Sequence, residues 1–471
     1  MSAQPITLTD AAAALRAGET TSVALTSAAI EKANALDAQL GAYVTRFDEH
    51  AVERAAAADA ELAAGVDRGP LHGIPIGVKD ILAMAEGPTT AQSLILDRAW
   101  AEGKDAVVVE RLKAAGAVIT GKLTTMEFAI GMPDFDKPFP IPRNPWDTET
   151  WPGGSSSGTG AAVAAGLVFA GIGTDTGGSI RIPAAYCGTS GLMPTFGRVP
   201  NAGCAPLGYS LDHIGPLARS ARDCGAFLAA IAGPDARDLY TADEPVPDFL
   251  AGIGADGSLA GLRIGVDRGL FNELADPAAA PALDAAMEVL AQAGADVVEI
   301  TLPLYGETVT AQMVTMLSEA LAYHRTDLSS RWEEYFAATR RFVGGGAVFS
   351  GADYVQAQRV RRVAQRALAE LFQTVDLVAT PTATTPAPHY DGLAERGVGA
   401  LMGTIQTAYW DATGHPALVM PHGVTEAGMP LSLQLVAPPF EEALLVRAGD
   451  AYQQLTDWHL RVPPLAAAVP V

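Results

Sequence analysis

The sequence predicts an α/β fold, on three observations. Residues 262–300 read as a strand at 263–266, an acidic loop, an alanine-rich helical pattern at about 278–293 and a strand at 296–300, which is a βαβ unit. A helical pattern within 105–128 likewise runs into the branched stretch Ala117-Val118-Ile119-Thr120, and Leu377-Val378-Ala379-Thr380-Pro381-Thr382 is a further strand. The chain has 471 residues, 49% of them hydrophobic, enough to bury a large core and too apolar for disorder. A net charge of −22 with no Lys/Arg cluster excludes a nucleic-acid surface and favours solubility.

In chain order, residues 7–64 are alanine-rich and predict helices. Thr20-Thr21-Ser22 offers caps ahead of a stripe of Val23, Leu25, Ala29 and Ile30, and 42–47 predicts a short strand before a second helix. Residues 69–81 alternate Gly, Pro and branched side chains and predict a strand entering the core, with Lys79 between Val78 and Ile81. Lysines are rarely buried without a partner. A buried Lys79 would have its pKa pushed down from about 10.4 and become a base near neutral pH. Asp80 would then have to point elsewhere, since a carboxylate beside the amine keeps it charged. The run 116–122 spells GxxxxGK, yet Leu123 stands where a phosphate loop needs Ser/Thr and its middle is strand-like, so no nucleotide site is expected.

Residues 151–183 read WPGGSSSGTGAAVAAGLVFAGIGTDTGGSIRIP. Glycine and serine clusters stand at both ends of an uncharged small-residue run that predicts a buried helix and short strand rather than a membrane span. Packed as such, the run brings the two hydroxyl clusters together. The paired glycines before Ser179 would present backbone N–H groups to an oxyanion. The residues alone do not choose among Ser155, Ser156, Ser157, Thr159 and Ser179 as a nucleophile. The frame Gly154-Ser155-Ser156-Ser157-Gly158 even fits a G-x-S-x-G elbow with Ser156 as nucleophile, as in an α/β-hydrolase-type esterase, although the polar stretch 144–152 before it is no buried strand.

These motifs, with Gly77-Val78-Lys79-Asp80 upstream, resemble the amidase signature family of serine hydrolases. The resemblance covers most of the chain, strongest at 69–82 and 143–223. It implies one domain over 1–471, built on a large mixed, mostly parallel β-sheet covered by helices on both faces. It also implies a catalytic set of Ser179 as nucleophile, Ser155 as relay after a cis Gly154-Ser155 peptide, and Lys79 as base. The N–H groups of Thr176, Gly177, Gly178 and Ser179 would form the oxyanion hole. Ala129, Ile130 and Met132 would contact the acyl group, and no metal or cofactor is implied. The expected substrate is a small hydrophobic or aryl amide, with ester or carbamate also open. The alternative is the glutaminase component of a tRNA-dependent amidotransferase. At 411 the chain has Asp where the family often carries Asn, which bears on pocket polarity.

His72 and His213 read as scaffold residues, and Cys187, Cys204 and Cys224 as buried thiols of a reducing cytoplasm. The N-terminal decapeptide has no basic stretch leading into an apolar one, so no signal peptide is expected. Homodimerisation is the expectation for self-association. Residues 305–372 read as helices joined through Gly344-Gly345-Gly346, a candidate lid, and 440–458 as a closing amphipathic helix.

Overall fold

A computed structural model describes residues 7–254, 257–393 and 401–469, so residues 1–6 of the stretch read for a leader lie outside them. Eleven strands among the described residues form one sheet: β1 (Tyr43–Arg46), β2 (Pro75–Lys79), β3 (Val118–Leu123), β4 (Ala170–Asp175), β5 (Ser190–Met193), β6 (His213–Ala218), β7 (Arg263–Val266), β8 (Asp296–Glu299), β9 (Leu377–Pro381), β10 (Ala417–Val424) and β11 (Pro430–Val436). Their order across the sheet is β1-β3-β2-β4-β6-β5-β10-β11-β9-β7-β8. The α/β class stands, but parallel pairing is confined to β3-β2-β4 and β9-β7-β8. The middle of the sheet is antiparallel. The reason lies in the connections: the short turn between β10 and β11 permits only antiparallel pairing, whereas parallel neighbours need long crossovers.

The N-terminal helices form as expected. Thr21 caps the helix Ser22–Leu40 by accepting from the Ala24 N–H. The closing helix is Glu442–Gln454. Among the described residues, no helix is long and apolar enough to cross a membrane.

The small-residue run is explained by close packing. All nine residues of the helix Ser157–Ala165 are buried, and the helix lies against β4. A Cβ on Gly158 would come within 2.3 Å of the Ala42 carbonyl oxygen, and one on Gly173 within 2.7 Å of Ser156 Oγ. Any larger side chain at either position would push the helix off the sheet. Because β2 and β4 are parallel, with Val78 level with Ile172, Lys79 and Thr174 emerge at the same end of adjacent strands. Carboxyl ends of parallel strands are where α/β sheets place their sites.

In the region read as a candidate lid, the helices are Tyr305–Ser330, Ala337–Gly345 and Gly351–Leu371. Gly344 and Gly345 end a helix and Gly346 opens a helical turn. A Cβ on Gly346 would meet the Leu317 carbonyl oxygen at 2.3 Å. Close packing against the helix Tyr305–Ser330 therefore accounts for a glycine at position 346.

Candidate active site

Lys79 ends β2 with no exposed surface, and its Nζ lies 2.7 Å from both Ser155 Oγ and Thr174 Oγ1. Burial pushes its pKa down to about 7, against smaller opposing pulls from Cys204, Asp175 and Asp212. Its sequence neighbour Asp80 points away: the carboxylate accepts from Thr90 and lies 3.4 Å from Lys122 Nζ. Lys122, also fully buried, further donates to the Leu82 carbonyl and to Thr89 Oγ1. Two buried lysines thus sit on neighbouring strands, one beside a carboxylate and one held only by hydroxyls. With its pKa near 7, the second can lose its proton near neutral pH.

Ser155 follows a cis peptide with Gly154 and is 1% exposed, whereas Ser179 is 9% exposed, so Ser179 is the hydroxyl more open to a ligand. The two serine clusters are joined directly, since the Ser156 N–H donates to the Ser179 carbonyl at 3.2 Å. The elbow geometry does not hold for Ser156. No strand precedes it, and its hydroxyl lies 3.2 Å from both the N–H and the carbonyl of Thr174, inside the protein.

The turn carrying Ser179 is held through its backbone carbonyls. The Thr176 carbonyl accepts from Gln312 Nε2 at 2.8 Å, the Gly177 carbonyl from Thr407 Oγ1 at 2.7 Å, and the Gly178 carbonyl from the Ile182 N–H at 2.6 Å. In a trans peptide the next N–H points opposite to the carbonyl, so each bond aims the N–H that follows. For Gly178 that N–H donates to Asp175 Oδ1 at 2.5 Å. Gly178 is therefore corrected out of the expected set of oxyanion donors as the turn is arranged here. It still needs to be glycine: its φ is +128°, and a Cβ would strike Thr407 Oγ1.

Beneath the turn lies a buried ionic cluster. Arg181 donates to Asp175 through Nε and Nη2 (2.9 and 3.1 Å) and to Asp411 Oδ2 at 2.5 Å, and Nη1 reaches the Thr407 carbonyl and Gln434. Burial would raise Asp175, but the Arg181 charge and its hydrogen bonds win and hold it at about 2. Asp411 is pushed well above the usual carboxylate range by burial and by Asp175, despite Arg181. The Asp at 411 faces Arg181 directly inside the fold.

Ala129 and Ile130, 5% and 6% exposed, pack into an apolar cluster with Phe128, Leu317 and Tyr335. Met132 is half-buried against a second cluster containing Met126, Trp151 and Ile182. Met126 borders the serines, because its N–H donates to the Ser155 carbonyl and a Cβ on Gly154 would touch its Cε. His213 contacts the Asp175 carbonyl through Nδ1, and burial lowers its pKa to about 4, so it stays neutral. His72 lies 3.1 Å from Glu61. The three thiols are unpaired, with Cys204 half-buried and the other two buried.

Sequence reasoning missed Thr174, Gln312 and the Arg181–Asp411 pair. Thr174 had a faint signal, a hydroxyl at the end of an apolar strand. Gln312 reaches the site from more than 130 positions away and had none, and Asp411 was visible only as a departure bearing on pocket polarity, with nothing to mark it as a partner of Arg181.

A family model described as Amidase matches residues 24–446. The chain belongs to the amidase family. Among relatives of this amidase-family chain, a glutamyl-tRNA(Gln) amidotransferase subunit of Chloroflexus aggregans is 41% identical, the alignment covering 98% of this chain and 99% of that one. An amidase of Pseudomonas putida is 40% identical, covering 98% of each. The solved peptide amidase of Stenotrophomonas maltophilia superposes with a TM-score of 0.83 at 31% identity, over 98% of this chain and 99% of that one.

Proposed function

We propose that the protein hydrolyses C–N bonds of small amides through an acyl-enzyme on Ser179. Ser179 Oγ attacks the carbonyl carbon while its proton passes to Ser155 Oγ and the Ser155 proton passes to neutral Lys79 Nζ. The N–H groups of Thr176, Gly177 and Ser179 receive the oxyanion, each such donor being worth about 3 kcal/mol. Collapse breaks the C–N bond, and the relay run backwards protonates the departing nitrogen. Water activated by the same relay then attacks the ester on Ser179 and frees the acid. No step calls for a metal or cofactor.

The observation that carries this reading is a fully buried lysine that, among the described residues, has no carboxylate within hydrogen-bond reach, its amine 2.7 Å from Ser155 Oγ. Met126 and Trp151 beside Gly154 favour a hydrophobic or aryl acyl group. Esters and carbamates pass through the same oxyanion and belong to the proposed range. The unpaired thiols fit a cytoplasmic protein, and a second copy of the chain is its proposed macromolecular partner.

The names of the relatives support a second reading, a glutamine-hydrolysing component of a tRNA-dependent assembly. Purified chain assayed alone on aryl amides, esters, carbamates and glutamine separates the two. Turnover of an aryl amide that disappears in Ser179→Ala supports the free-standing hydrolase, whereas glutamine turnover appearing only with added partner proteins supports the assembly.

A further inference from the structure

The helix Tyr305–Ser330 reaches the Ser179 turn from the region read above as a candidate lid. Gln312, Met316 and Glu319 share one face of it at i, i+4 and i+7. Gln312 is 3% exposed, and its Nε2 donates to the Thr176 carbonyl at 2.8 Å. A Cβ on Gly177 would lie 3.1 Å from that same nitrogen and 3.9 Å from Met316 Sδ. Seven residues on, Glu319 accepts from both the N–H and the hydroxyl of Ser210. Ser210 belongs to the loop whose Asp212 takes the Thr176 hydroxyl at 2.6 Å and the N–H groups of Leu207 and Gly208. The helix therefore grips Thr176 twice, directly on its carbonyl and indirectly on its side chain.

We propose that Gln312 is a positioning residue for the oxyanion hole: its hydrogen bond to the Thr176 carbonyl sets the 176–177 peptide plane so that the Gly177 N–H faces the oxyanion. The proposal rests on the acyl-transfer reading above. With the Gly178 N–H committed to Asp175, the Gly177 donor carries more of the load than in a set of four. Without the Gln312 donor, the plane of a glycine-flanked peptide is free to turn, since glycine restricts neither of its dihedrals. The helix then acts as more than a wall, because it tunes the hole from outside the motif that carries the nucleophile.

The test uses two substitutions of similar volume that lose the donor, Gln312→Met and Gln312→Leu, with a fluorophosphonate as probe. The second-order rate of Ser179 phosphonylation is followed from pH 5 to 9. Loss of a whole oxyanion donor costs about 10²- to 10³-fold, so a misaligned one should cost roughly 10- to 100-fold. The expected result is that loss in both variants, with the acid limb of the profile unmoved and melting temperatures within a few degrees of the parent. Rates within twofold of the parent overturn the proposal while leaving Ser179 as nucleophile. A loss accompanied in both variants by a large drop in melting temperature makes Gln312 a merely structural residue and also overturns it. If the parent protein takes no label on Ser179, the acyl-transfer reading fails, and the proposal fails with it.

Discussion

As the proposed base, Lys79 must be neutral to act, and the pH dependence of that neutrality can be worked out from its surroundings. Burial lowers its pKa from 10.5 to about 7. The unprotonated fraction is therefore about one-half at pH 7, about one-tenth at pH 6 and about one-hundredth at pH 5. An exposed lysine would be neutral only to about one part in 3,000 at pH 7. The kcat/KM of an amide substrate should follow this curve, falling tenfold per pH unit on the acid side. Lys79→Met removes the base and should lower turnover by at least about 10³-fold across the range. The same substitution should not unfold the protein. Between pH 7 and 10.5 the native state binds fewer protons at this site than the unfolded chain, so the cost of burying the amine grows as pH falls, reaching about 4 kcal/mol at pH 7. Relief of that cost offsets the roughly 1 to 3 kcal/mol for each hydroxyl left without its partner. Melting by circular dichroism should therefore stay within a few degrees of the parent while stopped assays show the loss of activity. A profile flat from pH 5 to 8, or near-normal turnover by Lys79→Met, would refute the reasoning.

Asp175→Asn breaks a buried ion pair with Arg181 and should cost about 3–5 kcal/mol in urea titrations. Glu127 lies buried between Ser93 Oγ and the Phe336 N–H, and burial raises its pKa from 4.5 to about 7. The native state thus binds more protons there than the unfolded chain, and stability falls as pH rises from 4.5 through 7. Glu127→Gln should therefore gain on the parent by up to about 3 kcal/mol above pH 7 and lose that advantage below pH 4.5, read by denaturation at the two pH values.

The fold was legible where local pattern and buried face agree. The βαβ unit at 263–299, the strand bearing Lys79 and the helix and strand inside the glycine-serine stretch all lie where their spacing places them. The antiparallel middle of the sheet was not. Strands β5 and β6 contain Gly191, Gly215 and Pro216, which read as turns. In the protein Gly215 is needed because a Cβ there would come within 2.2 Å of the Leu192 carbonyl oxygen. Strand β11 forms a hairpin with β10, and the stretch between them carries no two-residue turn signature. Lys122 was passed over because the frame around it suggested a phosphate loop. Burial of a charge depends on a partner, here Asp80, that sequence spacing does not reveal. At the site, the residues close to Ser179 in sequence were visible. Those delivered by other elements, Gln312 and Asp411, were invisible as partners because only the folded chain brings them to residues 175–181.

Ser179 is proposed to form the covalent intermediate. Peptide mass spectrometry of the protein after reaction with a fluorophosphonate at pH 8 tests it most directly. A single adduct on Ser179 is expected, absent from Ser179→Ala and slowed by at least about 10³-fold in Lys79→Met. An adduct on Ser156, or labelling that survives Ser179→Ala, would contradict it.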